Sequence, residues 1–400
     1  MEFKFSDAIT INPSEKIKKG ELIKKISMQN IKERNRNILD YEIAPYSSGS
    51  KFRNKDTLFA RITPCLENGK TAQVNILNDD EIAFGSTEFI VFRARTGITI
   101  PDYVYFLSIS ECIRQQAIKS MTGTSGRQRV QNSIFDEITI EVPSIEEQEK
   151  IVGILNSLDS KIEINNKIIS NLESQAQAIF KSWFVDFEPF QDGNFVESEL
   201  GMIPEGWEVK ELGELFKFVK GKKPKDLHEK YEDNFIPYIV KGVMDGSETP
   251  KFTNEINIVK IKKLDCFMLM DGANSGNIYY GYDGALGSTF ALLESKNQVY
   301  RELIYWKLKI NESIIKNQNT GSAIPHANKD FINKMNVAIP INIEENEILK
   351  TLENFRIKIN SLNNQNTKLA ELRDALLPKF MAGEIDVSNI KIEGEEVKNE

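Results

Sequence analysis

Two long stretches of the chain place apolar residues at alternating gaps of four and three positions. The first covers residues 147–190 and the second begins at residue 344; matching positions lie 197 residues apart, as Ile151 and Ile348 do. The stripe of the first stretch is Ile151, Leu155, Leu158, Ile162, Ile169, Leu172, Ala176 and Ile179, and that of the second is Ile348, Leu352, Phe355, Ile359, Leu362, Leu369 and Leu376. Such a heptad pattern predicts two long helices that pack along each other.

The repeat favours an antiparallel pairing of the two helices. In that register Asn165 faces Asn366, and Leu158 faces Arg373, whose aliphatic stem can cover it. The same register pairs Leu155 with Leu376, Ile162 with Leu369, Leu172 with Ile359 and Ala176 with Phe355. We predict that the two asparagines meet and fix the register at some cost in stability. The alternative is that both lie on a solvated edge.

The sequence outside the helices also repeats weakly. Residues 83–87, Ala-Phe-Gly-Ser-Thr, correspond to residues 285–289, Ala-Leu-Gly-Ser-Thr. A helix predicted at 103–120 corresponds to one predicted at 300–316. The loop at 121–130, which contains TGTSGRQR, corresponds to the loop TGSAIPH at 320–326. The predicted fold class is α+β: two related globular domains joined by two long helices that form an antiparallel coiled coil.

The predicted boundaries follow from these patterns. They are a first globular domain at 1–142, a helix at 143–184, a connector at 185–203, a second domain at 204–340, a second helix at 341–380 and a C-terminal tail at 381–400. Pro143 is expected to open the first helix. Near its end, Phe180, Trp183 and Phe184 are expected either to contact a protein partner or to pack the helix end against a domain.

The composition indicates a soluble globular protein of two or three domains. Of 400 residues, 40% are hydrophobic and 28% charged, and no apolar run approaches the roughly 18 residues of a membrane helix. Cys65, Cys112 and Cys266 are too few and too scattered for a disulfide framework or a zinc site. We expect a cytoplasmic protein whose cysteines are part-buried apolar residues.

The net charge of −8 disfavours a simple nucleic-acid binder, but the charge is unevenly distributed. Residues 217–225, KFVKGKKPK, carry five lysines and no acid, and residues 114–131 carry three arginines and a lysine and no acid. Binding to phosphates needs only a local cationic surface. Taken alone, each cluster fits a solvated loop as well as it fits a phosphate-binding surface.

The usual catalytic motifs are missing from the sequence. Two histidines, His228 and His326, supply neither a triad nor a multi-histidine metal site, and no phosphate-binding loop is present. The glycine-rich segments 271–277 and 281–288 are interpreted as turns between strands. We therefore predict a protein that binds rather than reacts, with no cofactor and no metal.

Four segments carry a resemblance to a known family. They are Glu147-Gln148 and Ile151 after a proline-ended strand, QAIFKSWFVDFEPF, LGMIPEGWEVKELGEL and LRDALLPKFMAGEIDV. With them the whole chain resembles the DNA-specificity (S) subunit of a type I restriction-modification system. The resemblance implies two target recognition domains, each reading one half of a bipartite DNA site, and spacer helices that set the distance between the halves. It also implies assembly with modification (methyltransferase) and restriction subunits, and a specificity subunit without its own active site.

Candidate DNA-binding residues follow from the basic loops and this resemblance. In the first domain they are Lys51, Arg53, Arg61, Ser125, Arg127 and Arg129; in the second they are Lys220, Lys222, Lys223, Ser322 and His326. Lysines and arginines neutralise phosphates, whereas arginine can bind guanine through two hydrogen bonds, so Arg127 and Arg129 are the strongest candidates for base reading.

Two other functions remain as alternatives. A coiled-coil adaptor without DNA binding shares the heptads but leaves the paired domains and basic loops unexplained. A fused methyltransferase and specificity chain is disfavoured, because the two repeats occupy the whole length and no cofactor motif is found.

Overall fold

The computed structural model describes residues 1–124, 126–321, 324–343, 346–388 and 390. The chain divides into two units. The first consists of Met1–Glu163 and the chain from Asn366, and the second is Ile164–Gln365. Each unit therefore contains one globular domain together with a section of each long helix.

Two four-stranded sheets and one strand pair build the globular part of the first unit. In spatial order, one sheet is Ile9–Ile11, Phe89–Ala94, Thr57–Ala60 and Thr71–Gln73, the other is Glu42–Pro45, Leu22–Ile26, Ile82–Gly85 and Ser50–Arg53, and Glu2–Lys4 pairs with Thr139–Glu141. Leu22–Ile26 and Ile82–Gly85 run parallel. The helices are Phe5–Ala8, Pro101–Ile109, Glu111–Lys119 and Ile134–Glu137, with a 3-10 turn at Met28–Asn30.

The second unit repeats this plan strand for strand. Its sheets are Phe216–Lys220, Phe290–Ser295, Phe267–Leu269 and Ile278–Tyr279, then Phe252–Thr253, Ile236–Ile239, Gly284–Leu286 and Lys260–Ile261, with Trp207–Glu211 paired to Asn336–Pro340. The helices are Leu212–Leu215, Lys241–Met244, Tyr300–Ile310, Glu312–Asn317 and Lys329–Asn333; a 3-10 turn lies at Glu188–Phe190 and a hairpin at Phe195–Ser198 and Gly201–Pro204. The predicted α+β class with two related domains is confirmed.

Several local predictions are wrong in detail. The helix predicted at 103–120 is two helices, because Ser110 is extended (φ −63°, ψ 146°) and its hydroxyl donates to the Leu107 carbonyl. The helix at 300–316 is likewise divided at Asn311. The segment 281–288 is not only a turn, since it contains the buried strand Gly284–Leu286. Cys112 is exposed rather than part-buried.

The two long helices are Ile145–Phe184 and Glu347–Met381. The first begins two residues after Pro143, where Ser144 and Glu147 cap each other: the Ser144 N–H donates to the Glu147 carboxylate and the Glu147 N–H donates to the Ser144 hydroxyl. Asn346 caps the second by accepting from the Leu349 N–H. Among the described residues, no helix has the length and apolar character that a membrane crossing requires.

Contacts inside each unit agree with the antiparallel register. In the first unit, Arg373 Nη1 lies 2.8 Å from Asp159 Oδ1, one residue from the predicted Leu158 contact. In the second unit, the fully buried Asn165 donates to Gln365 Oε1 at 2.8 Å. The specific pairing of Asn165 with Asn366 stays a prediction, because those two residues belong to different units.

The aromatic end of the first long helix is part of a core and not an open docking surface. Phe180 and Phe184 are buried in the second unit with Leu212, Leu215 and Leu349. Trp183 is partly buried and its ring meets Phe190 edge-on at 5.3 Å. Of the two expectations for these aromatic residues, packing against a domain is correct.

The residues that follow the second long helix continue to pack in the first unit. Val387 is buried in that unit's core, with Ile385 and Ile390 packed against it. Lys150 Nζ donates to the Ser388 carbonyl at 2.9 Å. The segment predicted as a tail therefore begins as part of the first unit's packing, while residues 391–400 lie outside the described residues.

A buried ion pair fixes the second long helix to the second domain. Arg356 lies on the helix and binds Glu302 through two hydrogen bonds, one of them 2.8 Å from Nη2 to Oε2. Its guanidinium is 4.1 Å from the ring centres of both Tyr280 and Tyr305. Arg356 is 3% exposed and Glu302 4%. Coulomb attraction and cation–π contact thus offset the cost of burying both charges.

Substituting Arg356 with methionine should lower the unfolding free energy of the second unit by about 3–5 kcal/mol, because Glu302 would remain buried without a counter-charge. Urea unfolding followed by tryptophan fluorescence measures this unit alone, since Trp183, Trp207 and Trp306 all lie in it.

Two further variants control this experiment. Lys350→Met removes an exposed ion pair with Glu347 on the same helix and should change stability by less than about 0.5 kcal/mol. The double variant R356M/E302M should recover most of the loss, since apolar groups then replace both charges. A double variant as unstable as R356M would show that the unpaired carboxylate is not the cause.

Candidate nucleic-acid interface

A concave surface of the first unit brings two of the predicted cations together. Lys51, near the start of the strand Ser50–Arg53, and Arg61, directly after Thr57–Ala60, both line it. Asn12 and Thr87 line it too, and Asn12 has a left-handed backbone (φ 48°). The surface is open and mixes amide, hydroxyl and cationic groups with one acid, Glu15. Amide, hydroxyl and cationic groups suit contacts to phosphate and sugar.

The loop at 121–130, called here the first bridged loop, docks beside this surface. Its ends meet in an antiparallel bridge between Thr122 and Arg129, and Arg129 also bridges to Ile62. The Arg61 carbonyl accepts from the Val130 N–H at 2.9 Å, and Arg61 Nη2 donates to the Val130 carbonyl at 2.8 Å. Backbone pairing with the strand end therefore holds the arginine-containing loop in place.

The predicted cations of the first unit differ in the groups that they bind. Arg53 donates twice to Glu15, at 2.7 and 3.0 Å, and Arg93 binds both Glu15 and Asp56. These two arginines and two acids cancel each other's charge. Arg129 is also paired, with Glu88. Sequence reasoning missed the acids because they lie tens of residues from the cations they bind.

Among the described residues, three predicted cations of the first unit have no acidic ion-pair partner. Lys51 Nζ donates to the Glu15 backbone carbonyl at 2.7 Å and Arg61 donates to a carbonyl, so both bind neutral acceptors. Arg127 is exposed and has no ion-pair partner among the described residues. These three are better placed for phosphate contacts than Arg53. Ser125 lies outside the described residues.

In the second unit, the lysine-rich segment 217–225 begins in the strand Phe216–Lys220 and continues into a turn. The Gly221 N–H donates to the Phe290 carbonyl at 2.9 Å, and the Lys222 N–H to Leu286 at 3.0 Å. A Cβ at Gly221 would lie 2.2 Å from the Gly287 oxygen, so only glycine allows this close approach. Exposed Lys220, Lys222 and Lys223 have no ion-pair partner in the described part of the chain.

The second bridged loop, residues 320–326, closes in the same way as the first. Thr320 and His326 form an antiparallel bridge, and His326 also bridges to Asp271. His326 Nδ1 lies 2.8 Å from Asp271 Oδ1, with half of the imidazole side chain exposed. Ser322 lies outside the described residues. Within those residues, no group of three histidine, cysteine or acidic side chains is placed to hold a metal ion.

Comparison with known proteins matches this duplicated arrangement. The family model described as the type I restriction modification DNA specificity domain matches residues 1–174 and again 204–372. The specificity subunit of the type I restriction enzyme HindI from Haemophilus influenzae is 24% identical, over 85% of this chain and 89% of that protein. The specificity subunit of the type I restriction enzyme MjaIX from Methanocaldococcus jannaschii is 28% identical, over 73% of this chain and 70% of that protein.

A second M. jannaschii relative is more similar over a shorter region. The MjaVIII specificity subunit is 33% identical over 195 residues, which are 48% of this chain and 45% of that protein, so the match spans about half of each. Among solved structures, the type I restriction-modification S subunit from M. genitalium has a TM-score of 0.56 at 15% identity and covers 95% of this chain and 96% of that chain. That likeness concerns the fold.

The shared carboxylate of Glu15 should make the stability of the first unit pH-dependent. Hydrogen bonds from Arg53, and then Arg93, lower the pKa of Glu15 below its ordinary value of 4.5. A lowered folded-state pKa contributes stability above about pH 4.5, which is lost as the pH falls through the folded-state pKa. Glu15→Gln should cost about 2 kcal/mol near neutral pH, and less below pH 4.5.

Urea unfolding followed by circular dichroism, at pH 7 and at steps from pH 5 to 3, measures this difference. Tryptophan fluorescence serves as the internal control, because it reports the second unit and should not distinguish the two proteins. A stability difference that stays constant down to pH 3 would contradict the lowered pKa.

Proposed function

Because the chain belongs to the family of type I restriction-modification DNA specificity proteins, we propose that it is the sequence-specific DNA-binding subunit of such a system. Each of its two domains reads one half-site of a bipartite target. The chain directs modification subunits, which methylate the DNA, and restriction subunits, which cleave it. It carries no active site of its own, and the complex works on double-stranded DNA in the cytoplasm.

The repeated bridged loop is the observation that supports this function best. In both domains a loop is closed by an antiparallel bridge. Partly buried Arg61 bonds to the first bridged loop and exposed Arg127 lies in it. The second domain carries exposed Lys222 and Lys223, which have no ion-pair partner among the described residues. Cations position a protein on the phosphate backbone, and side chains on the loops reach base edges. Since the loops differ in sequence while the fold repeats, the two domains are suited to different half-sites.

The assignment of the chain to parts follows this function. We assign residues 1–142 and 204–340 to the two target recognition domains, 143–184 and 341–380 to the spacer regions, 185–203 to the connector and 381–400 to the tail. The long helices of the spacer regions are Ile145–Phe184 and Glu347–Met381. An adaptor without DNA binding would need the paired helices, but neither the repeated bridged loops nor the exposed cations of the two domains. The proposed DNA-binding residues are Lys51, Arg61, Arg127, Arg129, Lys220, Lys222, Lys223 and His326, with Ser125 and Ser322 outside the described residues.

Methylome sequencing tests the proposal in one experiment. The chain is expressed with its modification subunit in cells that lack other methyltransferases, and adenine methylation is mapped. We expect one bipartite motif with two defined half-sites and an undefined spacer of fixed length, and no methylation when either subunit is expressed alone. Methylation without a bipartite motif would overturn the proposal, as would methylation by this chain alone.

Lengthening both helices should lengthen the spacer without changing either half-site. Four residues inserted after Ile162, with four inserted before its register partner Leu369, add one turn to each helix, about 6 Å. That corresponds to fewer than two base pairs at about 3.4 Å each. The same methylome experiment should show both half-sites unchanged and the spacer longer by one or two base pairs. An unchanged spacer would contradict a spacer role for the helices.

A further inference from the structure

We infer that Glu88 and Asp271 are positioning residues, which hold Arg129 and His326 in the orientation that reads a base edge. One pair lies in each domain, so each pair serves one half-site. The inference rests on the proposed DNA-reading function and extends it to two acids that carry no affinity for DNA themselves.

Arg129 and His326 occupy the same place in the two copies of the fold. Each residue ends a bridged loop and forms two bridges. One is to the loop's first threonine, Thr122 for Arg129 and Thr320 for His326, and the other is to the second residue after a central strand, Ile62 and Asp271 respectively. The next residue donates to the end of that strand at 2.9 Å in both copies, from Val130 to Arg61 and from Ala327 to Met270. The fold therefore presents these two side chains at matching positions.

Glu88 holds the Arg129 guanidinium along one edge. Arg129 Nε lies 3.0 Å from both Glu88 carboxylate oxygens, and Nη2 lies 2.7 Å from Oε1. The free end of the guanidinium, formed by Nη1 and Nη2, points away from Glu88 and still has N–H groups to donate. Nη1 also donates to the Arg127 carbonyl at 3.3 Å. Two donors side by side on that free end match O6 and N7 of guanine.

Asp271 holds the imidazole of His326 in a comparable way. The contact uses Nδ1, at 2.8 Å from Asp271 Oδ1, which leaves Nε2 as the free end of the ring. A histidine nitrogen can donate to, or accept from, a base edge in the major groove, depending on its proton. Fixing Nδ1 sets both the orientation of the ring and the position of Nε2.

Stability alone does not account for these two pairs. The side chains of Arg129 and Glu88 are 43% and 24% exposed, and those of His326 and Asp271 are 50% and 31% exposed. Ion pairs this exposed contribute little to folding. Their geometry instead immobilises a reading group before DNA arrives, and that lowers the conformational entropy lost on binding.

The test uses the full chain assembled with its modification subunit. Methylation rates are measured on a duplex library in which each position of both half-sites is randomised in turn. We expect Glu88→Gln to lower discrimination about tenfold at one base pair of the first domain's half-site and to leave the other half-site unchanged. Asp271→Asn should lower discrimination at one base pair of the second domain's half-site and leave the first half-site unchanged. The unaffected half-site shows in each case that the protein is folded and assembled.

Matched controls separate positioning from charge. Glu81→Gln removes an acid paired with Lys24, and Glu294→Gln one paired with Lys217, each in the same domain as the tested pair but away from its bridged loop. Both should keep wild-type discrimination at every position. Arg129→Lys keeps the charge but loses the two-donor end, and should affect the same base pair as Glu88→Gln.

Each result has a distinct meaning. If Arg129→Lys alters one base pair and Glu88→Gln alters none, Arg129 reads DNA without help from Glu88 and the inference fails. If Glu88→Gln weakens both half-sites equally, its role is structural and the inference again fails. If the wild-type complex shows no defined half-sites, the proposed function itself fails, and the inference with it.

Discussion

The heptad pairing of the two long helices is the constraint on which the rest of the structure depends. Neither helix can bury its apolar stripe alone, and each domain packs on sections of both helices. The first unit's core contains Leu155 from one helix and Leu377 and Phe380 from the other. The second unit's core contains Ala176 and Phe180 together with Leu349 and Leu352. Within each unit, helix pairing and domain packing therefore depend on each other, although the participating segments lie far apart in the sequence.

In both domains an arginine and an acid fix the contact with a long helix, but the arginine belongs to the domain in one case and to the helix in the other. In the second domain the cation comes from the helix: Arg356 enters the domain and meets Glu302 and the Tyr305 ring. In the first domain the cation comes from the domain: Arg36 binds Asp102, lies 4.9 Å from the Tyr105 ring and donates to Asn156 on the helix. In both domains the acid belongs to the domain, whereas the origin of the arginine differs.

The sequence was most informative where the pattern is periodic and local. Heptad spacing predicted both long helices and a register that the Arg373–Asp159 and Asn165–Gln365 contacts agree with. Short matching segments predicted the duplicated fold. The failures involve information that a local pattern does not contain. Ser110 breaks a helix that its neighbours favour. Phe180 is apolar whether it faces a partner or a core, and only the tertiary fold distinguishes the two. The Glu15–Arg53 pair joins residues 38 positions apart.

The distribution of charge explains how a chain of net charge −8 can present cationic surfaces to DNA. Overall charge governs long-range attraction, but binding depends on charges within about one Debye length of the phosphates, about 8–10 Å in physiological salt. Around the first bridged loop, Glu15 and Asp56 are neutralised by Arg53 and Arg93, so those acids do not oppose Lys51, Arg61 and Arg127. Internal pairing therefore does two things at once. It neutralises the negative charge of Glu15 and Asp56 near the proposed DNA-binding surface. It also leaves Lys51 and Arg61, which bond to neutral carbonyl groups, as the cations of that surface proposed to contact phosphates.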